Sequence, residues 1–132
     1  MRLQTTFTPA DFKALAQTDL SETTCVVFDI LRATSSMVTA LANGAGRIRP
    51  VATIDEALAA KAEYPQALLC GERHGQRITA EQAKGTDFDL GNSPREYTAE
   101  IVTGKTLITT TTNGTRALRA SLGAREVLVS SF

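Results

Sequence analysis

Four short segments of this sequence carry side chains suited to holding a divalent cation against a multiply charged anion. The first is Asp29-Ile30-Leu31-Arg32-Ala33-Thr34-Ser35-Ser36. A carboxylate at a strand tip can hold a cation, while hydroxyls and free N–H groups at a helix start can hold an anion. Arg32 adds a planar, two-pronged contact for phosphate or sulfonate, and Thr34 and Ser35 are candidate substrate contacts. The second segment is Gly71-Glu72-Arg73-His74-Gly75. Magnesium takes one or two protein carboxylates and completes its shell with water and phosphate oxygen, so Glu72 is a candidate second ligand beside Asp29. The third, Asp87-Phe88-Asp89-Leu90-Gly91-Asn92-Ser93-Pro94, sets Asp89 and Asn92 on a glycine turn. Asp89 is a candidate third metal ligand, and Asn92 and Ser93 are candidate substrate contacts.

The fourth segment, Thr109-Thr110-Thr111-Thr112-Asn113-Gly114-Thr115-Arg116, is the most specific. Four threonines favour a strand, Asn-Gly breaks it, and a helix follows at once. Thr111, Thr112, Asn113, Gly114 and Thr115 thereby gather hydroxyls and N–H groups in one small volume, with Arg116 in the first helical turn. Each segment has a plainer reading: a strand-end Asp with a Thr cap, a polar surface turn, a solvated turn, a Thr-rich strand with an Asn cap. Their coincidence favours a shared site in which Asp29, Arg32 and Arg116 act on a phosphoryl group.

Familiar phosphate-handling signatures are close but absent. A haloacid-dehalogenase-type phosphatase needs a second Asp two residues after the nucleophile, where this chain has Leu31. Between Cys70 and Arg77 lie six residues, one more than the cysteine-phosphatase loop allows, which would misplace thiolate and guanidinium. No Gly-Lys-Ser/Thr ending of a nucleotide triphosphate loop occurs. His74, the sole histidine, lacks the companions of a zinc site and reads as a loop residue. The attacking group is left as Asp29 itself or a metal-bound water.

These segments must be positioned by the elements between them. Thr8-Pro9-Ala10-Asp11 predicts a capped helix carrying Phe12, Leu15 and Ala16 inward. Strands are expected at residues 25–28, 47–51, 67–70, 106–109 and 126–129. Helices are expected over 35–42, closed by Asn43-Gly44, and from the Thr53 capping box to Tyr64-Pro65. Two more are expected from the Ser93 capping box through Tyr97 and Ile101, and over 115–122. Residues 71–84 read as a long loop, and Pro50 puts its strand near a sheet edge. The alternation predicts an α/β fold, a mainly parallel sheet with helices on its faces in three layers. Ligands of such sheets bind beyond the carboxyl ends of the strands, where Asp29, Glu72 and Thr110 to Asn113 fall.

Composition bounds the alternatives. The 132 residues suit a single domain, residues 1–132, and 14 basic residues balance 14 acidic ones, which argues against a nucleic-acid or anionic-membrane binder. Arg outnumbers Lys ten to four, and Arg is the better fork for oxyanions. No apolar run is long enough to span a membrane, and the start has no apolar stretch of a signal peptide. Cys25 and Cys70 read as reduced thiols of a cytoplasmic protein. The strand near Pro50 and a sheet edge after Val129 leave room for pairing with another chain, as in a homo-oligomer.

Taken together, the segments resemble the 2-phosphosulfolactate phosphatase family of coenzyme M biosynthesis. The likeness rests on Phe28 to Ser36, Thr39-Ala40-Leu41-Ala42-Asn43-Gly44, Pro50-Val51-Ala52-Thr53, Gly71-Glu72-Arg73, Phe88 to Pro94 and Thr110 to Ala117. The resemblance implies a magnesium-dependent phosphatase that hydrolyses 2-phospho-3-sulfolactate, a small phosphorylated sulfonate, to 3-sulfolactate and phosphate. Family members continue past the length of this chain, so it is expected to be the amino-terminal part of a longer enzyme. The rival readings are a phosphohydrolase for another small phosphorylated acid and an anion-binding domain without turnover.

Overall fold

The computed structural model describes residues 2–131. Capping accounts for the first helix starts. Thr8 and Asp11 exchange bonds at the start of α1 (Pro9–Leu15), and Thr53 accepts the Glu56 N–H at the start of α3 (Ile54–Glu63). Between them come β1 (Thr24–Phe28), α2 (Ala33–Ala42) and β2 (Arg47–Pro50). After them come β3 (Leu68–Arg73), β4 (Gln76–Arg77), α4 (Ala99–Val102), β5 (Thr106–Thr110), α5 (Gly114–Ala120) and β6 (Glu126–Ser130).

Four strands pair in the order β2-β5-β3-β4, the first three parallel and β4 antiparallel to β3. β2 is the edge strand, with Pro50 at its end, as the sequence led one to expect. β1 and β6 form a separate parallel pair. Side chains alternate faces along a strand, and that alternation builds the layers. Leu69 and Ile108 pack under Ala57 and Ala60 of α3, together with Ile78 and Phe88. Cys70 and Leu107 turn the other way, toward Ala40 of α2, Val102 of α4 and Tyr97. A third cluster joins the two sheets without ladder bonds: Val27 meets Met37 and Leu118, flanked by Ile48 and Val129. The outward face of the β1–β6 pair leaves Val26, Phe28 and Leu128 exposed. No described helix is long and apolar enough to cross a membrane.

Three expectations are corrected. The helix expected from Ser93 through Ile101 is a 3-10 turn at Pro94–Glu96, a break, and then the four-residue α4. Tyr97 causes the break: it turns inward until only 3% exposed, and its hydroxyl donates to the Gly91 carbonyl at 2.8 Å. Burying a ring with its hydroxyl satisfied outweighs helix propensity over so short a segment. Residues 71–84 are not wholly loop. β3 runs on to Arg73 and reverses through His74 and Gly75, at φ 55° and 79°, the paired positive angles of a two-residue hairpin. Finally, α1 buries no residue; Phe12 and Leu15 are half-buried and Ala16 is exposed, because the helix packs chiefly against the short α5.

One position fixes how closely β3 and β5 approach at their carboxyl ends. A Cβ on Gly71 would lie 2.1 Å from the Thr110 carbonyl oxygen, a distance no side chain tolerates without moving a backbone. Gly71→Ala should therefore lower stability by about 3 kcal/mol, read as an earlier urea midpoint in circular dichroism with an unchanged slope.

Candidate active site

The carboxyl ends of β1, β3 and β5 deliver three turns to one region. The β1–α2 turn and the β5–α5 turn touch. A Cβ on Gly114 would lie 2.8 Å from Asp29 Oδ2 and 2.5 Å from the Ala33 Cβ. The Asp29 carboxylate thus occupies the space that any other residue at 114 would fill. Its main chain is fixed by Thr34: the Asp29 N–H donates to Thr34 Oγ1, and the Thr34 N–H donates to the Asp29 carbonyl, both at 2.9 Å. The carboxylate itself meets no protein donor among the described residues.

Glu72, at the end of β3, is 7% exposed. Its Oε1 accepts the Thr112 N–H at 2.6 Å and its Oε2 accepts the Gly75 N–H at 2.9 Å. Burial alone would raise this carboxyl, but those two donors, the nearby Thr112 hydroxyl and the adjacent Arg73 guanidinium together hold it below its ordinary value. Arg73 donates to the Thr110 carbonyl at 3.3 Å and to Thr110 Oγ1 at 3.0 Å. Burial pulls its pKa down, Glu72 opposes this, and the charge of Arg116 adds to the fall; the guanidinium nonetheless stays charged. Arg32, half-buried, donates from Nη2 to the Gly75 carbonyl at 2.8 Å.

Several hydroxyls assigned to substrate are occupied within the fold. Thr34 Oγ1 is taken by Asp29, and Ser35 Oγ donates to the Ile30 carbonyl and shares a 2.6 Å bond with Ser131. Thr111 and Thr115 grip one another, each backbone N–H donating to the other's hydroxyl, at 3.2 and 3.1 Å. Asn92 is buried, its carbonyl accepting from Ser36 Oγ at 3.0 Å, and the Ser93 N–H donates to Glu96 Oε1 at 3.2 Å. Asn113 is exposed, and its carbonyl receives the N–H groups of Arg116 and Ala117. Arg116 is exposed. The Thr112 hydroxyl oxygen is buried without a hydrogen-bond partner. Arg73, which lies in the Gly71-Glu72-Arg73 segment but is not assigned a role by its residue type, joins the site through its grip on Thr110.

Asp89 is not brought to the other acids. Its Oδ2 accepts the Leu69 N–H at 2.8 Å, near the start of β3. Glu72 lies three residues further along that strand, roughly 10 Å away by the rise of a strand. No three His, Cys, Asp or Glu converge among the described residues, so a cage of carboxylates is not the metal chemistry on offer. A magnesium ion held by Asp29, with water and phosphoryl oxygen completing its shell, does fit the one carboxylate that meets no protein donor.

Cys70 takes no part. It is buried on β3 among Tyr97, Leu90 and Leu107, and burial pushes its thiol up to about 12. Both cysteines are free thiols.

The protein has a three-layer α/β fold with mainly parallel strands, and its strand ends carry the free Asp29 carboxylate together with Arg32 and Arg73. Its sequence matches the family model described as 2-phosphosulpholactate phosphatase over residues 10–132, and the chain belongs to that family. It is 52% identical over 109 residues to a probable 2-phosphosulfolactate phosphatase of Clostridium acetobutylicum, covering 82% of this chain and 43% of that one. The corresponding Thermotoga maritima protein is 50% identical over 109 residues, covering 83% and 44%. That of Carboxydothermus hydrogenoformans is 40% identical over 132 residues, covering 100% and 50%. The chain spans about half the length of the curated relatives it matches.

Thiol reactivity checks the assignment of Cys70 to the core. Iodoacetamide at pH 8 should alkylate the half-buried Cys25 and leave Cys70 unmodified in the native protein, with both labelled in urea; mass spectrometry of peptides reads the outcome.

Proposed function

We propose that the protein serves hydrolysis of a phosphate monoester, 2-phospho-3-sulfolactate, to 3-sulfolactate and phosphate, with magnesium as cofactor and in the cytoplasm. Membership of the family and the names carried by its relatives support the substrate. The observation that carries the chemistry is the Asp29 carboxylate, free of protein donors and seated where a Gly114 side chain would be.

In this reading Asp29 holds the ion or attacks the phosphorus. Magnesium, when bound, polarises a phosphoryl oxygen and offsets the charge of the phosphate. Arg32 and Arg116 bind the remaining phosphoryl and sulfonate oxygens, whose charge builds in the transition state. Arg32 keeps donors to spare beyond the one it gives to Gly75. Arg73 acts from behind, fixing the end of β5. The threonine pair Thr111 and Thr115 holds the shape of the turn rather than the ligand, which leaves Thr112 and the main chain of Asn113 and Gly114 as its ligand-facing part. A second reading, an anion-binding domain without turnover, rests on the same arginines, with both Glu72 oxygens given to main-chain donors and Asp29 alone free to hold an ion.

Phosphate release from phosphosulfolactate, phospholactate and phosphoglycerate, with and without magnesium, separates these readings. Magnesium-dependent turnover should be fastest on phosphosulfolactate, and Asp29→Asn or Arg116→Ala should lower it by about a hundredfold. Turnover unchanged in both variants would sink the assignment. Negligible release with and without magnesium, alongside retained phosphate binding, would select the second reading.

A further inference from the structure

Residue type makes Glu72 a candidate second ligand of the ion beside Asp29, yet the structure gives both its oxygens to main-chain donors from different turns. Oε1 holds the Thr112 N–H of the β5–α5 turn, at 2.6 Å, and Oε2 holds the Gly75 N–H of the β3–β4 hairpin, at 2.9 Å. The carbonyl of the same Gly75 receives Arg32 Nη2 from the β1–α2 turn at 2.8 Å. One buried carboxylate and the main chain of one glycine therefore connect all three turns in series: Thr112 to Glu72, Glu72 to Gly75, Gly75 to Arg32. A side chain that only stabilised the fold would need no such path, because β3 and β5 are already joined by their ladder and by Arg73.

We propose that Glu72 is a positioning residue that sets Arg32 and the Thr112 turn at a fixed separation, so that both meet one tetrahedral oxyanion. The inference rests on the anion site described above. Inorganic phosphate is the simplest ligand of the right chemistry, and it asks for both a guanidinium fork and a hydroxyl or N–H on its other side. The Thr112 hydroxyl, close to Glu72 but outside good hydrogen-bond geometry, is one such group. Each oxygen of the carboxylate already accepts one main-chain N–H, and a bare acid beside phosphate would repel it.

The test is a double-mutant cycle on the 132-residue chain, with inorganic phosphate as the titrant in calorimetry. Glu72→Gln keeps the size but turns an N–H₂ toward one of the two backbone donors, so the series is broken at one link. Alone it should weaken phosphate by about tenfold, and in an Arg32→Ala background by less than about twofold, because there is no longer an Arg32 to place. Additive losses, or a Glu72→Gln chain that binds phosphate as well as the parent, would overturn the proposal. Amide exchange gives a readout that needs no ligand. In Glu72→Gln the amide that comes to face the N–H₂, Gly75 or Thr112, should lose protection, whereas protection kept at both overturns the proposal as well. If Glu72→Gln does not fold, Glu72→Asp, one methylene too short to reach both amides, takes its place in both measurements. A parent chain that keeps both amides protected but takes up no phosphate refutes the anion site, and with it the purpose given to Glu72. Phosphate binding retained with additive losses refutes the positioning role alone.

Discussion

A buried carboxylate must be matched by donors or it forces the structure apart, since an unpaired charge in the interior costs several kcal/mol. Glu72 is matched by two main-chain N–H groups that belong to segments forty and three residues away in sequence. Neither the hairpin turn at His74-Gly75 nor the turn after β5 has a core of its own; each is a few residues of polar chain at the rim of the sheet. Their places are set from outside, by this acid and by the neighbouring Arg73 on Thr110. The rest of the site depends on that arrangement, because Arg32 reaches the hairpin and Gly114 of the second turn presses on Asp29.

The layers beneath supply the rigidity that such an arrangement needs. Strict alternation along β3 and β5 sends Leu69 and Ile108 to one helical layer and Cys70 and Leu107 to the other. The strand ends are consequently fixed in height and in separation before any polar contact is made. Beside β3, the chain from Asp89 to Leu90 runs parallel to the strand, with Leu90 bridged to Cys70, and Asp89 ends that run by closing on Leu69. The acid that looked like a third metal ligand is thereby a device for covering the open edge of a strand.

How much of this could be read from the sequence follows from which interactions are local. Helix starts at Thr8 and Thr53, the stop at Asn43-Gly44 and the edge placement of Pro50 depend on a handful of consecutive residues, and all were legible. The parallel α/β class follows from the alternation of apolar runs with helical segments. The break at Tyr97 was not legible, because its cause is a hydroxyl bond to Gly91 across a buried turn. The site showed the same division. The strand ends of a parallel sheet must meet on one side, so the turns after β1, β3 and β5 could be grouped from the sequence, whereas the closure of Asp89 on Leu69 could not. The employment of each hydroxyl was not: residue type cannot distinguish a threonine that holds a ligand from one that, like Thr34, Thr111 or Thr115, holds its own backbone. Glu72 and Asp29 have the same chemistry in the sequence, and only long-range contacts separate the acid that braces from the acid that is free.

The contact among Asp29, Ala33 and Gly114 also constrains how this family can drift. The Asp29 oxygen and the Ala33 methyl together fill the volume into which a side chain at 114 would project. A residue larger than glycine at 114 is acceptable only after position 33 loses its methyl and position 29 shortens, and a shortened position 29 no longer carries the acid. The three positions thus pack as one unit, in which a carboxylate at 29 and a methyl at 33 leave room at 114 for hydrogen alone.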